Sequence, residues 1–384
     1  MNRMHTEEST PTTVSVAAPV ASTRPTDLEH VLVIGGAGYV GSVLVRDLLD
    51  RFEHVTVMDA FLFGDEGIRD VLEDPRVSVA RGDLRDIEAI VRAARDADAV
   101  VHLGGLVGDP ACALDQRLTL EVNLEATRTI VRAARGLGVR RFVFASSCSV
   151  YGSSSDLLDE ESPLDPVSLY ATSKMESERI ILEYEREDFV PVILRFGTFY
   201  GLSPRPRFDL IVNMLAAKAS AEGAISVFGG SQWRPFVHVS DGARAILRSL
   251  SAPEVDVSGE VFNVGSEREN YTIQQVAEFV ANEIPGTTIE VVEDRQDPAN
   301  YRVSFEKIRR VLGFDPERSL SEAVREIDAA VSSGSVSYLA ERYSNVRAMA
   351  AVVGTNPSNG SLPILTSNDG TETASAMTNG NGHP

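Results

Sequence analysis

Lysine is scarce: Lys174, Lys218 and Lys307 are the only three in 384 residues. With 36 Lys plus Arg against 56 Asp plus Glu the net charge is −20. That balance excludes function classes that need a broad cationic face, such as nucleic-acid or anionic-membrane binding. Any bound nucleotide has to be held locally, by backbone amides and a few arginines. Cys112 and Cys148 are the only two cysteines, too few and too far apart for a zinc pattern or a disulfide framework. The six histidines are scattered without ligand spacing, so no metal is expected. No run reaches the roughly 18 apolar residues of a membrane span. The N-terminal stretch Met1–Pro25 lacks the apolar block of a signal peptide. A cytoplasmic protein is expected.

What is present is a glycine turn. Gly35-Gly36-Ala37-Gly38-Tyr39-Val40-Gly41 follows the apolar run Val31–Ile34. Gly35 permits a tight bend out of a strand, Gly38 allows close approach of a pyrophosphate, and Gly41 lets the next helix pack closely. The amides of Tyr39, Val40 and Gly41, at the positive end of that helix, would face the phosphates. Further on, Val55-Thr56-Val57-Met58 ends in Asp59. A carboxylate there accepts hydrogen bonds from the adenosine ribose and repels a 2′-phosphate, which favours NAD over NADP.

Between the two ends, strand and helix patterns alternate. Strands are expected at 31–34, 55–59, 77–80, 99–103, 141–146 and 191–195, and helices at 41–50, 86–95, 115–136 and 170–188. Short apolar strands of this kind suit a parallel sheet covered on both faces. The expected fold is α/β: a Rossmann-type doubly wound parallel sheet over 29–195, with a smaller C-terminal substrate-binding lobe over 196–335. Residues 1–28 and 352–384, rich in small polar residues, are expected to be disordered tails.

Tyr170 and Lys174 lie one turn apart on the expected helix 170–188. A free phenol titrates near ~10 and is a poor base at neutral pH. A lysine cation and a nicotinamide ring nearby would lower it, so that Tyr170 could take a hydroxyl proton while hydride leaves. Lys174 would also hold the nicotinamide ribose. A hydroxyl from Ser146, Ser147 or Ser149, at the end of a buried strand, would bond the substrate oxygen; the residues alone do not distinguish the three. The loop Val107–Cys112 reads equally as a substrate contact or a plain connection. Pro204-Arg205-Pro206-Arg207-Phe208 reads as a solvated loop or as a source of cations for a diphosphate. His238 is expected to be structural.

The chain resembles the extended short-chain dehydrogenase/reductase family, specifically its nucleotide-sugar epimerases and dehydratases. The matching features run in order over about residues 30–325: the glycine turn, Asp59, Gly82-Asp83-Leu84, His102-Leu103-Gly104-Gly105, Asn123, Ser146–Gly152, Tyr170–Lys174, and Arg234 with Phe236–Asp241. The resemblance implies Ser147 as the catalytic hydroxyl. It places Asp83 and Leu84 beside the adenine, and Leu103, Gly104 and Gly105 beneath the cofactor, with Asn123 among the cofactor-site residues. It sends Arg234 to the substrate diphosphate, and puts Thr198 and Arg295 in the substrate site. It also implies a homodimer through helices 115–136 and 170–188, with Leu118, Val122, Ile130, Met175, Ile180 and Leu182 as candidate apolar contacts.

Departures narrow the reading. Family 4,6-dehydratases carry Asp-Glu after the catalytic Thr, where this chain has Cys148 and Ser149. Thr198 replaces the usual Asn, which points to an atypical substrate. The resemblance therefore implies an NAD-dependent epimerase acting on a nucleotide-diphosphate sugar, with transient oxidation most often at C4. Net NAD(H)-consuming oxidation or reduction is the alternative, followed by dehydration or decarboxylation; a non-catalytic dinucleotide-binding regulator stands last.

Overall fold

The computed structural model describes residues 28–292 and 299–355. Seven strands form the central sheet: β1 (His30–Ile34), β2 (His54–Asp59), β3 (Val77–Arg81), β4 (Ala99–His102), β5 (Arg141–Ser147), β6 (Val190–Phe196) and β7 (Glu260–Val264). They lie in the order β7-β6-β5-β4-β1-β2-β3, every neighbour parallel. The first six fall within one residue of their expected ends. The seventh comes from the C-terminal half, past the expected lobe boundary at 195.

Unbroken apolar strands arise because both faces are covered. Val31 and Val33 pack with Leu44, Val45, Val55 and Val57 on one side. Leu32 and Ile34 pack with Met58, Ile90, Val100 and Ile130 on the other. Alternation along each strand sends successive side chains to opposite cores. Each such side chain buried adds about 1.5–3 kcal/mol. The order reverses between β1 and β4, where ligands of open α/β sheets bind at the carboxyl ends.

The helix after β5 runs Leu169–Leu182, with the Ser168 side chain accepting from the Ala171 amide at 3.2 Å as its N-cap. It ends short of 188 because Arg186 and Phe189 exchange backbone hydrogen bonds in a tight turn. The expected helix 115–136 is continuous but widens into a π turn at Glu121–Glu125. Four of the residues proposed for a dimer contact on these two helices, Leu118, Val122, Ile130 and Ile180, are buried inside the chain's own cores. They pack on the sheet or the loop after β4, so they offer no face to a second copy.

The second lobe is built on strands Thr198–Tyr200, Trp233–His238 and Asn270–Thr272. Helices Ile211–Glu222, Ile273–Glu283 and Leu320–Ser332 close over a core that includes Leu215, Val276 and Ile327. The expected C-terminal tail starts too early at 352, since a helix spans Asn345–Thr355. Its Val346, Met349 and Val353 recur at helical spacing, and Met349 is buried against Leu106, Cys112 and Val122. Residues 1–27 and 356–384, the rest of the expected tails, lie outside the described residues. Among the described residues no helix is long and apolar enough to cross a membrane.

Candidate active site

A cavity of about 830 Å³ opens at the carboxyl ends of the strands, beneath the second lobe. The glycine turn forms one wall. Gly35 has φ +81°, and a Cβ there would stand 2.8 Å from the Gly104 amide nitrogen. A Cβ at Gly41 would strike the Gly35 carbonyl oxygen at 2.3 Å. Backbone thus meets backbone at the switch point, and only glycine fits. Gly38, Tyr39, Val40 and Gly41 all line the cavity. The Tyr39 hydroxyl turns toward the second lobe and donates to the Gly201 carbonyl at 2.7 Å, tying the two lobes together over the turn.

Asp59, at the end of β2, lines the same wall. Its carboxylate accepts from the amides of Ala37 (3.0 Å) and Phe61 (2.8 Å). Burial raises its pKa and these amides oppose the rise. A carboxylate at this position disfavours a 2′-phosphate, so NAD should bind the protein more tightly than NADP. Titration of both into nucleotide-free protein checks this, and equal affinities would remove Asp59 from the ribose.

Across the floor, Leu103 donates its amide to the Ile34 carbonyl at 2.9 Å, and Gly104 leaves room for Leu84, whose Cδ1 would be 2.9 Å from a Cβ there. Asp83 is held by Arg85 at 2.7 Å. Gly105 faces Asn123, and Asn123 stands behind the wall rather than in it. Its Oδ1 accepts from the Leu106 amide at 2.8 Å and its Nδ2 donates to the Leu106 carbonyl at 2.9 Å. Its Nδ2 also donates to Ser173 Oγ at 3.4 Å, so Asn123 ties this loop to the helix that carries Tyr170.

The reacting groups meet at the end of β5. Ser147 acts on the Tyr170 phenol, lowering its pKa. Lys174 Nζ donates to the Ala145 carbonyl at 2.7 Å, stands 4.7 Å from the centre of the Phe144 ring and 5.9 Å from that of Tyr170. The three serines now separate. Ser146 is buried and donates to Glu178, the partner of Arg195 in a buried ion pair of 2.7 Å. Ser149 donates to Ser147 Oγ at 2.9 Å. Of the three, Ser147 is the one that acts on the Tyr170 phenol. One expectation changes: burial, with Cys112 next, pushes the phenol above its ordinary value, and the Ser147 hydrogen bond works against that. Lys174 does not dominate: burial pulls it down to about 8, and its Nζ is turned toward the Ala145 carbonyl.

Ser147→Ala should lower turnover with NAD binding retained, while Ser146→Ala should leave turnover closer to wild type and lower stability by about 1.5–3 kcal/mol through the lost hydrogen bond to the Glu178 carboxylate, whose Oε1 keeps Arg195 Nε as a donor at 3.0 Å. Turnover and thermal melts of both variants check the split.

From the second lobe come Thr198, Arg205, Arg207, Arg234 and Tyr301. Arg234 Nη1 donates to the carbonyls of Trp233 (2.7 Å) and Ala299 (2.6 Å), with the guanidinium 5.2 Å from the Tyr301 ring centre. Arg205 and Arg207 are buried in the wall rather than solvated, which their Pro-spaced loop did not reveal. Asn345, on the C-terminal helix, also lines the cavity and carries no motif in the sequence. Arg295 lies outside the described residues. Among the described residues no cluster of three or more His, Cys, Asp or Glu could hold a metal ion.

A glycine turn, a carboxylate at the end of β2 and a Ser-Tyr-Lys group around one cavity suit hydride chemistry on an alcohol. Known proteins of similar sequence and fold agree. The model of the NAD dependent epimerase/dehydratase family matches residues 31–265. The UDP-glucose 4-epimerase of Lactobacillus helveticus is 28% identical over 309 residues, covering 75% of this chain and 92% of that one. The UDP-glucose 4-epimerase of Thermus thermophilus, solved in complex with NAD, is 29% identical with a TM-score of 0.69, covering 80% of this chain and 100% of that one. The dTDP-glucose 4,6-dehydratase DesIV of Streptomyces venezuelae, solved with NAD, is 28% identical with a TM-score of 0.69, covering 77% of this chain and 96% of that one. With the family model spanning more than half of its length, the chain belongs to the NAD-dependent epimerase/dehydratase family and is an NAD-dependent enzyme of the extended short-chain dehydrogenase/reductase group.

Proposed function

We propose that the protein is a nucleotide-sugar epimerase that oxidises a sugar hydroxyl, at C4 as the family resemblance suggests, and reduces the resulting ketone on its other face. When bound, NAD accepts the hydride and returns it. Tyr170 removes the hydroxyl proton in the first half and returns a proton in the second. Ser147 holds the same oxygen, favouring the phenolate through the shared hydrogen bond. Lys174 supplies positive charge from behind Tyr170 and a donor for the nicotinamide ribose. Gly38 to Gly41 and Asp59 hold the cofactor, with Leu84, Leu103 and Gly104 beneath it. Thr198 and Arg234 face the substrate, Arg234 suited by its fork to a diphosphate.

One observation carries epimerisation over dehydration. Elimination of water needs an acid and a base beside the oxidised carbon, and the two residues after Ser147 supply neither. Cys148 is fully buried, donates to the Arg195 carbonyl at 3.2 Å, and burial pushes its thiol well above its ordinary value. Ser149 is a hydroxyl bonded to Ser147.

The test is incubation of the NAD-loaded protein with a panel of UDP- and dTDP-linked sugars, read by NMR without added NAD. An epimer formed catalytically supports the reading. A 4-keto-6-deoxy product, or activity that consumes added NAD in proportion to product, would replace it with dehydration or net oxidation. A homodimer is also proposed, with the exposed Leu120 on the helix pair as one contact; a monomer by light scattering at micromolar concentration would exclude it.

A further inference from the structure

Arg205 is a buried cation with no anion hydrogen-bonded to it among the described residues. It is 3% exposed, and both hydrogen bonds of its guanidinium leave from Nη2, to the Arg342 carbonyl and to Asn345 Oδ1, each at 3.0 Å. Its Nε is buried and has no partner among the described residues. The nearby carboxylates are committed elsewhere: Asp209 to Arg207 at 2.9 Å, and Asp59 to the amides of Ala37 and Phe61. Removing a cation from water without a compensating charge is costly. Burial, with the like charge of Arg207, pulls even this guanidinium down to about 10.

Its position says which charge is meant to meet it. A Cβ at Gly67 would stand 2.8 Å from the Arg205 Cβ, 3.0 Å from the Ala37 carbonyl oxygen and 3.3 Å from the Ser42 Cβ. The base of the Arg205 side chain therefore lies beside the glycine turn and the first turn of helix Gly41–Leu49, and the residue lines the same cavity as Gly38 to Gly41. The guanidinium stacks on Phe63, its carbon 3.9 Å from the ring centre, which fixes the plane of the fork. A cation from the second lobe thus lines the cavity that the N-terminus of helix Gly41–Leu49 also faces, where dipole and amides favour negative charge.

We propose that Arg205 binds the pyrophosphate of NAD, as a cation delivered by the second lobe to complete the phosphate site of the first, with Asn345 as the residue that positions it. The free side of the fork donates charge-assisted hydrogen bonds to the non-bridging phosphate oxygens. A sugar nucleotide also carries a diphosphate, and the start of the Arg205 side chain beside the glycine turn, in the cavity that turn lines, assigns it to the cofactor. Asn345 is itself anchored: its amide donates to Asp209 Oδ2 at 3.0 Å, and Met349, one turn on, is buried against Leu106 and Cys112. The C-terminal helix is then part of the cofactor site. This inference rests on NAD as cofactor and is independent of which sugar is turned over.

The test is calorimetric titration of full-length, nucleotide-free protein with NAD, NADP and adenosine, and of the NAD-saturated protein with UDP. Arg205→Gln should weaken NAD about 10- to 100-fold and flatten the salt dependence of its binding. Adenosine, which has no phosphate, should bind as to wild type, and UDP likewise. Asn345→Ala should weaken NAD by a smaller factor, again with adenosine unchanged. Unaltered NAD affinity in Arg205→Gln overturns the proposal. So does an equal loss for adenosine, which would mean a collapsed pocket, or a loss confined to NADP or to UDP, which would place Arg205 on the 2′-phosphate or the substrate. If the glutamine variant does not fold, Arg205→Lys carries the same test. It loses the fork and keeps the charge, so a several-fold loss for NAD alone supports the assignment, and loss for both or neither refutes it.

Discussion

Tyr170→Phe should fold, retain NAD and lose turnover by about 100- to 10,000-fold. The ring itself is structural, packed against the cluster of Leu106, Cys112 and Met349, and phenylalanine keeps that contact. What disappears is the hydroxyl whose pKa Ser147 lowers. Burial raises the phenol, so forming the phenolate that takes the substrate proton is a barrier at neutral pH. The Ser147 hydrogen bond and the Lys174 cation lower that barrier by favouring the phenolate. The measurement is single-turnover reduction of bound NAD by the sugar nucleotide, followed through the absorbance of the reduced nicotinamide. Hydride transfer at the wild-type rate in Tyr170→Phe would remove Tyr170 as the base. Loss of NAD along with turnover would mean that the hydroxyl supports the pocket rather than the chemistry.

What could be read from the sequence was whatever local geometry dictates. Gly35 and Gly41 stand where a Cβ would strike backbone, and Tyr170 and Lys174 share a helix face by spacing alone. The alternation of Val31 and Val33 with Leu32 and Ile34 between two cores is the signature of a covered parallel strand. What could not be read depends on contacts between distant segments. Ser146 and Ser147 are adjacent and chemically identical, and Glu178 on the following helix decides which of them is structural. Arg205 looked solvated because its loop is proline-rich and polar; Phe63 and Asn345, far away in the chain, bury it. Asn123 was assigned to the cofactor site by resemblance, and its hydrogen bonds to Leu106 make it a support for the loop beneath. The helix Asn345–Thr355 overlaps the expected tail because its small polar neighbours mask a stripe of Val346, Met349 and Val353 that packs with Leu106 and Cys112, far away in the chain.

Lys174→Met should abolish most turnover, weaken NAD and raise stability at neutral pH, three effects from one buried charge. Lys174 is 5% exposed, with a carbonyl and two aromatic faces around its Nζ. Burial pulls it from 10.5 to about 8. The unfolded chain therefore holds more protons than the native one between those values, and native stability rises with pH across that window. Below about pH 8 the protein carries the full cost of a buried ammonium, roughly 3 kcal/mol. Methionine has a similar reach and no charge, so the variant should melt above wild type at neutral pH, and the difference should shrink as pH rises from about 8 toward 10.5. Function should run the other way. The cation behind Tyr170 and the ribose donor are both gone, so the dissociation constant for NAD rises and turnover falls together, unlike Tyr170→Phe, which spares binding. In wild type the same charge is lost as pH rises through about 8, so activity should decline there, well before an ordinary lysine would titrate. Thermal melts at neutral and alkaline pH, with NAD titrations and turnover alongside, check each limb. A Lys174→Met protein that melts below wild type at neutral pH would show that the ammonium is stabilised by its surroundings, and the account of Lys174 as a strained functional charge would fail.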